Sequence, residues 1–430
     1  MRHGRDQYGF HHILIPLVII VIAIVGLAGW RVFKSRSGSG SNTRFTTSEN
    51  GERQIGETEA IKAGKDLSGG KCEGKGSTKL TALPMKPTDF AMILPYGLMV
   101  DGHVTPIDHQ YFSPTDFESA PDTYEVYALA DGRITEISHR GESVGSRGKP
   151  SNDYRFVFSH TCTFLTYFDL VTSLAPNIKA EFDKSARSSG SMSSASLDIP
   201  VKAGQLVGYI GGQTLDFAVW DTTKPLSGFI NPDSYKGERW KIYTADPLDY
   251  YAEGVKQQIL SKYMRTDASK SGKIDWDVDG RLIGNWFVEN SNGYEGDRGQ
   301  GDGRYWRTHL AVAPDYLDPS YYIASFGSFK TSGDGEQFLI ESASPDPKNV
   351  DTTTGLVKYQ LSGWNYLVNG DFWDRRSHAQ DLKITLKNSS RAGCALYQLL
   401  ENRMLRAEPF PGKACTEVTG FTPAAKTYTR

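Results

Sequence analysis

The chain has 430 residues, a formal net charge of −2 and 38% hydrophobic residues. That length exceeds one ordinary domain. The near-neutral charge argues against a nucleic-acid partner, and the modest hydrophobicity against a multi-span membrane protein. Aromatic residues at 12%, with 44 glycines and 22 tyrosines, favour β structure and turns.

Residues 1–12 form a short polar tail. Residues 13–30, ILIPLVIIVIAIVGLAGW, carry no charge. At about 1.5 Å per residue such a helix nearly crosses a hydrocarbon core of ~30 Å. The run is longer than the apolar region of a signal peptide and ends in Trp30, Arg31 and Phe33 rather than at a small-residue cleavage site. The expectation is a single transmembrane helix over residues 13–33. Arg2 and Arg5 precede it, while Arg31, Lys34 and Arg36 follow, so flanking charge does not set its orientation. The mass that follows, and four cysteines without zinc-type spacing, point to export. Cys394 and Cys415 are the expected disulfide, with Cys72 and Cys162 left to pair.

Residues 34–82 contain SRSGSGSN and SGGKCEGKGS and read as a flexible linker. Residues 83–270 follow as a first β-rich domain of short runs broken by Gly, Pro and Asp, a pattern that predicts sheet or sandwich structure. A Ser-rich stretch at 185–196 reads as a surface loop. Asp246-Pro247 opens a helix predicted over 249–264, with Tyr251, Val255, Ile259 and Tyr263 on one face. A second β-rich domain is expected at 271–363. A C-terminal segment, 364–430, carries a predicted short helix at 395–404 and the last two cysteines. The fold class is therefore mainly β, with two extracytoplasmic β-rich domains behind one membrane helix.

Within residues 96–251, VYA at 126–128 is followed by DGRI at 131–134. VFSHTCTFLTYFDL occupies 157–170, VKAGQLVG 201–208, and TLDF 214–217; Asn231-Pro232 and Asp246-Pro247 follow. Their order and framework resemble the lysostaphin-type zinc peptidase domain, the duplicated hybrid motif fold. The resemblance implies a zinc ion held by a His and an Asp of an early motif and by the second His of a His-x-His pair. Zinc so held keeps an open position and lowers the pKa of its bound water toward ~7. Here Asp108 matches the early Asp, while Asp169, Thr214 and Asp216 fall where histidines are expected. The implied reading is a domain that keeps the fold and has lost hydrolysis. A rearranged site is the rival: His103, Asp108 and His109 lie in one short stretch, and Asp216 could join them around a zinc ion. Asp108 and His109 would face opposite sides of a strand unless a turn after Thr105-Pro106 re-aims them. His160 reads as a framework histidine and is the spare candidate for a general base.

Asp275, Asp277, Asp279 and Gly280 spell the start of a calcium loop, but Trp286 stands where the bidentate Glu belongs. An edge strand ending in an Asp-Gly turn is the expectation. Trp276, Trp286, Trp306, Trp364 and Trp373 are read as β-core residues, with sugar stacking the alternative. The expected role is binding or scaffolding at the cell envelope, with the membrane, peptidoglycan or an envelope protein as partner. The alternatives are an active metal-dependent cell-wall endopeptidase and a purely structural surface protein.

Overall fold

A computed structural model describes residues 45–47, 53–144, 150–189, 192–265, 267–297, 304–330 and 333–430. The predicted membrane helix, residues 13–33, lies outside them. Among the described residues no helix is long and apolar enough to cross a membrane.

Order begins earlier than the composition predicts. Strands β1 (Phe45–Thr47) and β2 (Arg53–Ile55) pair, and helix α1 (Glu57–Leu67) follows. The segment expected as linker is thus largely tied down. Arg53 donates to the carbonyls of Leu226 and Phe229, and the Thr222 hydroxyl donates to the Ala60 carbonyl. Gly64 lies so close to the Cys162 carbonyl that a Cβ there would sit 1.8 Å from it. Cys72 is bonded to Cys162, locking this segment to the first domain.

The first domain is built from β3 (Phe90–Leu94), β4 (Gln110–Pro114), β5 (Tyr124–Tyr127), β6 (Gly132–Val144), β7 (Pro150–Thr161), β8 (Phe164–Val171), β9 (Ser173–Leu174), β10 (Arg187–Ser189), β11 (Met192–Val201), β12 (Leu206–Ile210), β13 (Leu215–Asp221) and β14 (Thr244–Ala245). Nine of them form one sheet in the order β10-β11-β6-β7-β8-β13-β4-β3, with β14 on β13; β5-β12-β9 form a small second sheet. The Ser-rich stretch is mostly strand, not loop: β10 and β11 extend the large sheet along β6. Helix α2 (Pro176–Ser185) packs Ile178 and Phe182 into the core between the sheets, with Phe112, Phe156, Phe168 and Phe217. The predicted helix at 249–264 shrinks to α3 (Glu253–Ile259), flanked by two short 3-10 turns. Asp246 caps the first turn by accepting from the Leu248 N–H at 2.8 Å.

The second domain is a closed barrel and uses the residues expected as a separate tail. Its strands are β15 (Gly284–Val288), β16 (His309–Pro314), β17 (Tyr322–Phe326), β18 (Glu336–Ile340), β19 (Leu356–Val368), β20 (Asp371–Phe372), β21 (Lys383–Leu400), β22 (Met404–Pro411) and β23 (Lys426–Thr429). Each pairs antiparallel with the next, apart from β20, which only flanks β19; β23 returns to β15 and closes the ring. An antiparallel ring of this size is just wide enough for side chains to fill. Trp286, Phe326, Tyr359, Tyr397 and Leu405 fill it here. The helix predicted at 395–404 is instead β21 turning into β22. Ala395 and Tyr397 face the interior, while Cys394 and Leu396 are covered outside by Phe410 and Val418, so burial on both faces produced an unbroken apolar run. Cys394 and Cys415 are bonded, as expected.

Arg430 locks the closure. Its guanidinium lies 3.9 Å from the Trp286 ring centroid, donates to the carbonyls of Ile283 at 2.6 Å and Val278 at 2.7 Å, and sits 3.8 Å from the buried Asp277. The stretch from Asp275 to Asp279 forms no strand. Asp275 accepts from the Gly228 N–H, Asp277 from the Asn285 N–H, and Asp279 pairs with Arg403. Two of these carboxylates are thus buried, where an outward edge was expected.

Replacing Arg430 by alanine leaves Asp277 buried without its cation. Arg430→Ala is expected to lose about 3 kcal/mol of stability in denaturant unfolding; a loss under about 1 kcal/mol would contradict this role.

Candidate functional site

Strands β4, β13, β8 and β7 run side by side, and period-two alternation sends their side chains to two faces. One face carries Phe112, Phe217, Phe168 and Phe156 into the core. The other presents Tyr111, Asp216 and Asp169 in register across three strands. Asp108 and His109 sit in a bend just before β4, so both reach the same side. The turn after Thr105-Pro106 re-aims them, which a continuous strand would not allow.

The cluster is buried: Asp108 is 4% exposed, His109 9%, Asp169 2%, Asp216 3% and Lys241 4%. Asp108 accepts from Lys241 Nζ at 2.7 Å and from Trp240 Nε1 at 2.8 Å. Lys241 also lies 3.2 Å from Glu238. His109 bridges two carboxylates, with Nε2 at 3.2 Å from Asp216 and Nδ1 at 3.7 Å from Asp108. Asp216 accepts from the Thr214 hydroxyl at 3.1 Å. Asp169 is held by Arg155, through Nε at 3.0 Å and Nη2 at 2.6 Å, and by Arg140 at 2.9 Å. Arg140 also pairs with Asp153 at 2.9 Å.

Burial strongly disfavours an isolated charge, so the protonation states follow from the pairing. Burial opposes the Lys241 charge, yet Asp108 and Glu238 outweigh it and hold the pKa above that of ordinary lysine. Burial likewise opposes ionisation of Asp108 and Asp169, but Lys241 with His109, and Arg140 with Arg155, hold these two carboxyls below the usual range. His109 feels the same opposition. Asp216 and Asp108 overcome it and raise the imidazole to about 9. Asp216, Asp153 and Glu238 are pushed up by burial, which their cations offset only in part.

A lid of aromatic residues covers this face. Residues 232–243 form a kinked 3-10 segment that places Tyr235, Trp240 and Tyr243 against Tyr167, Trp220 and Tyr294. The Lys241 ammonium lies 4.8 Å from the Tyr294 ring centroid, and Arg155 stacks 5.1 Å from Tyr167 and 5.6 Å from Trp240. Phe287 of β15 joins the same apolar cluster, so the barrel packs against the face that carries the aspartates.

Of the residues singled out from sequence, Asp108, His109 and Asp216 come together here. His103 lies at the margin, its ring centroid 6.3 Å from that of His109, and burial lowers its pKa to about 3. His160 takes no part. Its ring is held between the Asp131 carbonyl at 2.9 Å and the Thr166 hydroxyl at 2.9 Å, and burial lowers its pKa to about 4. Lys241, Arg155, Arg140 and Glu238 were not foreseen. Only Arg155 carried a signal, as the single charge in the apolar run YRFVFS, where a charge must find a buried partner.

The donors present do not fit a zinc ion. Zinc needs ligand lone pairs that point inward and are free. Both Asp108 oxygens accept from Lys241 and Trp240, Asp169 is shared by two guanidiniums, and a protonated His109 has no lone pair to offer. Among the described residues no group of three or more His, Cys, Asp or Glu side chains is arranged to hold a metal ion.

No family model matches the chain, and no curated protein does. Among solved structures, Csd3 of Helicobacter pylori is 16% identical over 42% of this chain and 38% of its own, with a TM-score of 0.22. A zinc-containing peptidase from Vibrio cholerae is 13% identical over 42% of this chain and 44% of its own, with a TM-score of 0.23. Lysostaphin is 11% identical over 62% of this chain and 93% of its own, with a TM-score of 0.21. The chain therefore spans less than half the length of Csd3 and of the Vibrio cholerae peptidase.

The His109 pairing makes stability depend on pH. Its folded pKa of about 9 lies above the ordinary 6.5, so its contribution is complete below about 6.5 and is lost as pH rises through about 9. A shift of that size corresponds to about 3 kcal/mol. Unfolding midpoints are expected to fall between pH 7 and 10, and less steeply in His109→Gln. An equal slope in both proteins would contradict the pairing.

Proposed function

We propose that this chain is a non-hydrolytic, membrane-anchored protein of the cell envelope, in which a peptidase-like β domain serves binding or scaffolding. One observation carries this reading: every carboxylate at the place of the expected metal is paired with a lysine, arginine or histidine of the same chain, under an aromatic lid. A hydrolase of the type that the motifs resemble needs an open metal position, an activated water and access for substrate. The cluster offers none of these, because its polar atoms face one another and Trp240 and Tyr294 lie across it.

Location rests on two further supports. Both cysteine pairs are bonded, and disulfides persist in oxidising compartments. The uncharged run at residues 13–30 suits a membrane anchor. The first described strand, Phe45–Thr47, follows that run in the sequence.

The test uses the full chain with purified peptidoglycan sacculi and added zinc. No soluble fragments are expected above the level of Asp216→Ala, and the protein is expected to be retained on sacculi or isolated with an envelope protein. Zinc-dependent release of fragments that Asp216→Ala abolishes would overturn the non-hydrolytic reading.

A further inference from the structure

A cleft of about 750 Å3 opens where the two domains meet, and it shares no residue with the aspartate cluster. Its size lies within the range of small-molecule sites, about 300–1,000 Å3, which favour domain boundaries. One wall is Ala91 of β3 and Lys262, in the 3-10 turn that follows α3. The other is the turn between β19 and β20, with residues 378–381. Val368 and Ala379, which line it, belong to an apolar cluster that spans both domains. Both walls are fixed before any ligand arrives. Lys262 Nζ donates to the carbonyls of Pro87 at 2.8 Å and Phe90 at 2.7 Å, and lies 4.6 Å from the Phe90 ring centroid. Opposite, Asn369 and Gly370 take φ +52° and +93°, as a two-residue hairpin turn requires. Trp373 Nε1 donates to the Ser377 carbonyl at 2.7 Å, and Arg376 pairs with Glu118 of the first domain, which holds the walls together.

The polar groups of the cleft are not used by the fold. An ammonium has three protons to donate, and the two carbonyls take two of them. Among the described residues no carboxylate pairs with Lys262. Burial lowers its pKa, and no neighbouring charge offsets that. The side chains of Asn369, His378, Gln380 and Asp381 have no hydrogen-bond or ion-pair partner among the described residues either. These groups narrow the ligand. Lys262 calls for an anion, and Asp381 on the other wall calls for a cation and repels a polyanion. The amides of Asn369 and Gln380 each offer donors and an acceptor, which a peptide group matches. No Phe, Tyr or Trp lines the cleft, so a sugar ring has no aromatic face to stack on.

We propose that this cleft binds a short peptide with free ends, its carboxylate on Lys262, its ammonium on Asp381 and its peptide groups on Asn369 and Gln380. Ala91 and Ala379 favour small side chains on that peptide. The proposal deepens the binding role given above and rests on that role only for the source of the peptide, cell-wall or free. The site itself stands on the walls of the cleft and needs nothing from the aspartate cluster.

The experiment is a calorimetric titration of the full chain with trialanine, N-acetyl-trialanine and trialanine amide. Trialanine is expected to bind with a dissociation constant of about 1 mM or below. Blocking either end is expected to weaken binding by about tenfold, the loss of one charge-assisted hydrogen bond. Lys262→Met is expected to bind trialanine and its amide equally, and Asp381→Asn to bind trialanine and its acetylated form equally. Should Lys262→Met not fold, Asp381→Asn decides, because Asp381 is exposed and supports nothing else. No binding of trialanine overturns the proposal, as do equal affinities for all three peptides or a discrimination that the matching variant leaves intact. Binding of N-acetylglucosamine oligomers in place of the peptides overturns the ligand class. Peptide fragments released from sacculi that bind more tightly than trialanine support the site and a cell-wall source. Fragments that bind no better support the site with a free peptide as its ligand. Retention of the full chain on sacculi without any trialanine binding overturns the cleft as the site and leaves the binding role standing.

Discussion

A carboxylate taken out of water needs a cation at close range, and this requirement organises the first domain. Asp108, Asp169 and Asp216 arise from three places in the sequence and reach one face of one sheet. Removing one partner from such a group leaves an uncompensated charge, typically at a cost of about 3–5 kcal/mol. The cations therefore fix more than themselves. Lys241 and Trp240 pin the 3-10 segment across the sheet, Arg155 and Arg140 tie β7 and β6 to β8, and His109 ties the bend before β4 to β13. Buried ion pairs contribute little net stability against well-packed apolar residues, but they fix geometry, and here they place an aromatic lid.

The lid joins the domains. Tyr235 and Trp240 from the first domain pack with Phe287 and Tyr294 from the second in one apolar cluster. A second seam runs from Met92 and Met264 to Ala311, Ile323 and Trp373 on the outer wall of the barrel. The barrel interior is itself filled, so its rings serve packing rather than display. Of the five tryptophans read from sequence as core residues, Trp286, Trp306 and Trp373 are buried and Trp276 and Trp364 half-buried. The face that carries the aspartates is an internal surface between two folded bodies.

Much of the first domain was legible because its signals are local. KAGQLVG marks the turn between β11 and β12, where Gly204 adopts φ +75°, a conformation that favours glycine. The strands at 157–170 and 214–217 fall where the short β-rich runs broken by Gly, Pro and Asp place them. Two of the aspartates that meet in the site were visible as residues standing in for histidines. The long-range features were not legible. Lys241 is 133 residues from Asp108, and nothing local in RWKIY points to that partner. Closure of the barrel depends on β23 returning to β15, a pairing across more than a hundred residues that no period records. The apparent linker misled for a related reason: α1 is polar on most of its surface and is held by a disulfide and a glycine contact rather than by a strong apolar face.

The account stands on the claim that the chain's own cations close the aspartate cluster. Crystals of the protein soaked in zinc, with data collected at the zinc absorption edge, test it most directly. The prediction is no anomalous peak between Asp108 and Asp216, with Lys241 Nζ still within hydrogen-bond distance of Asp108. A zinc ion about 2.0–2.2 Å from both aspartates, with Lys241 displaced, would contradict it.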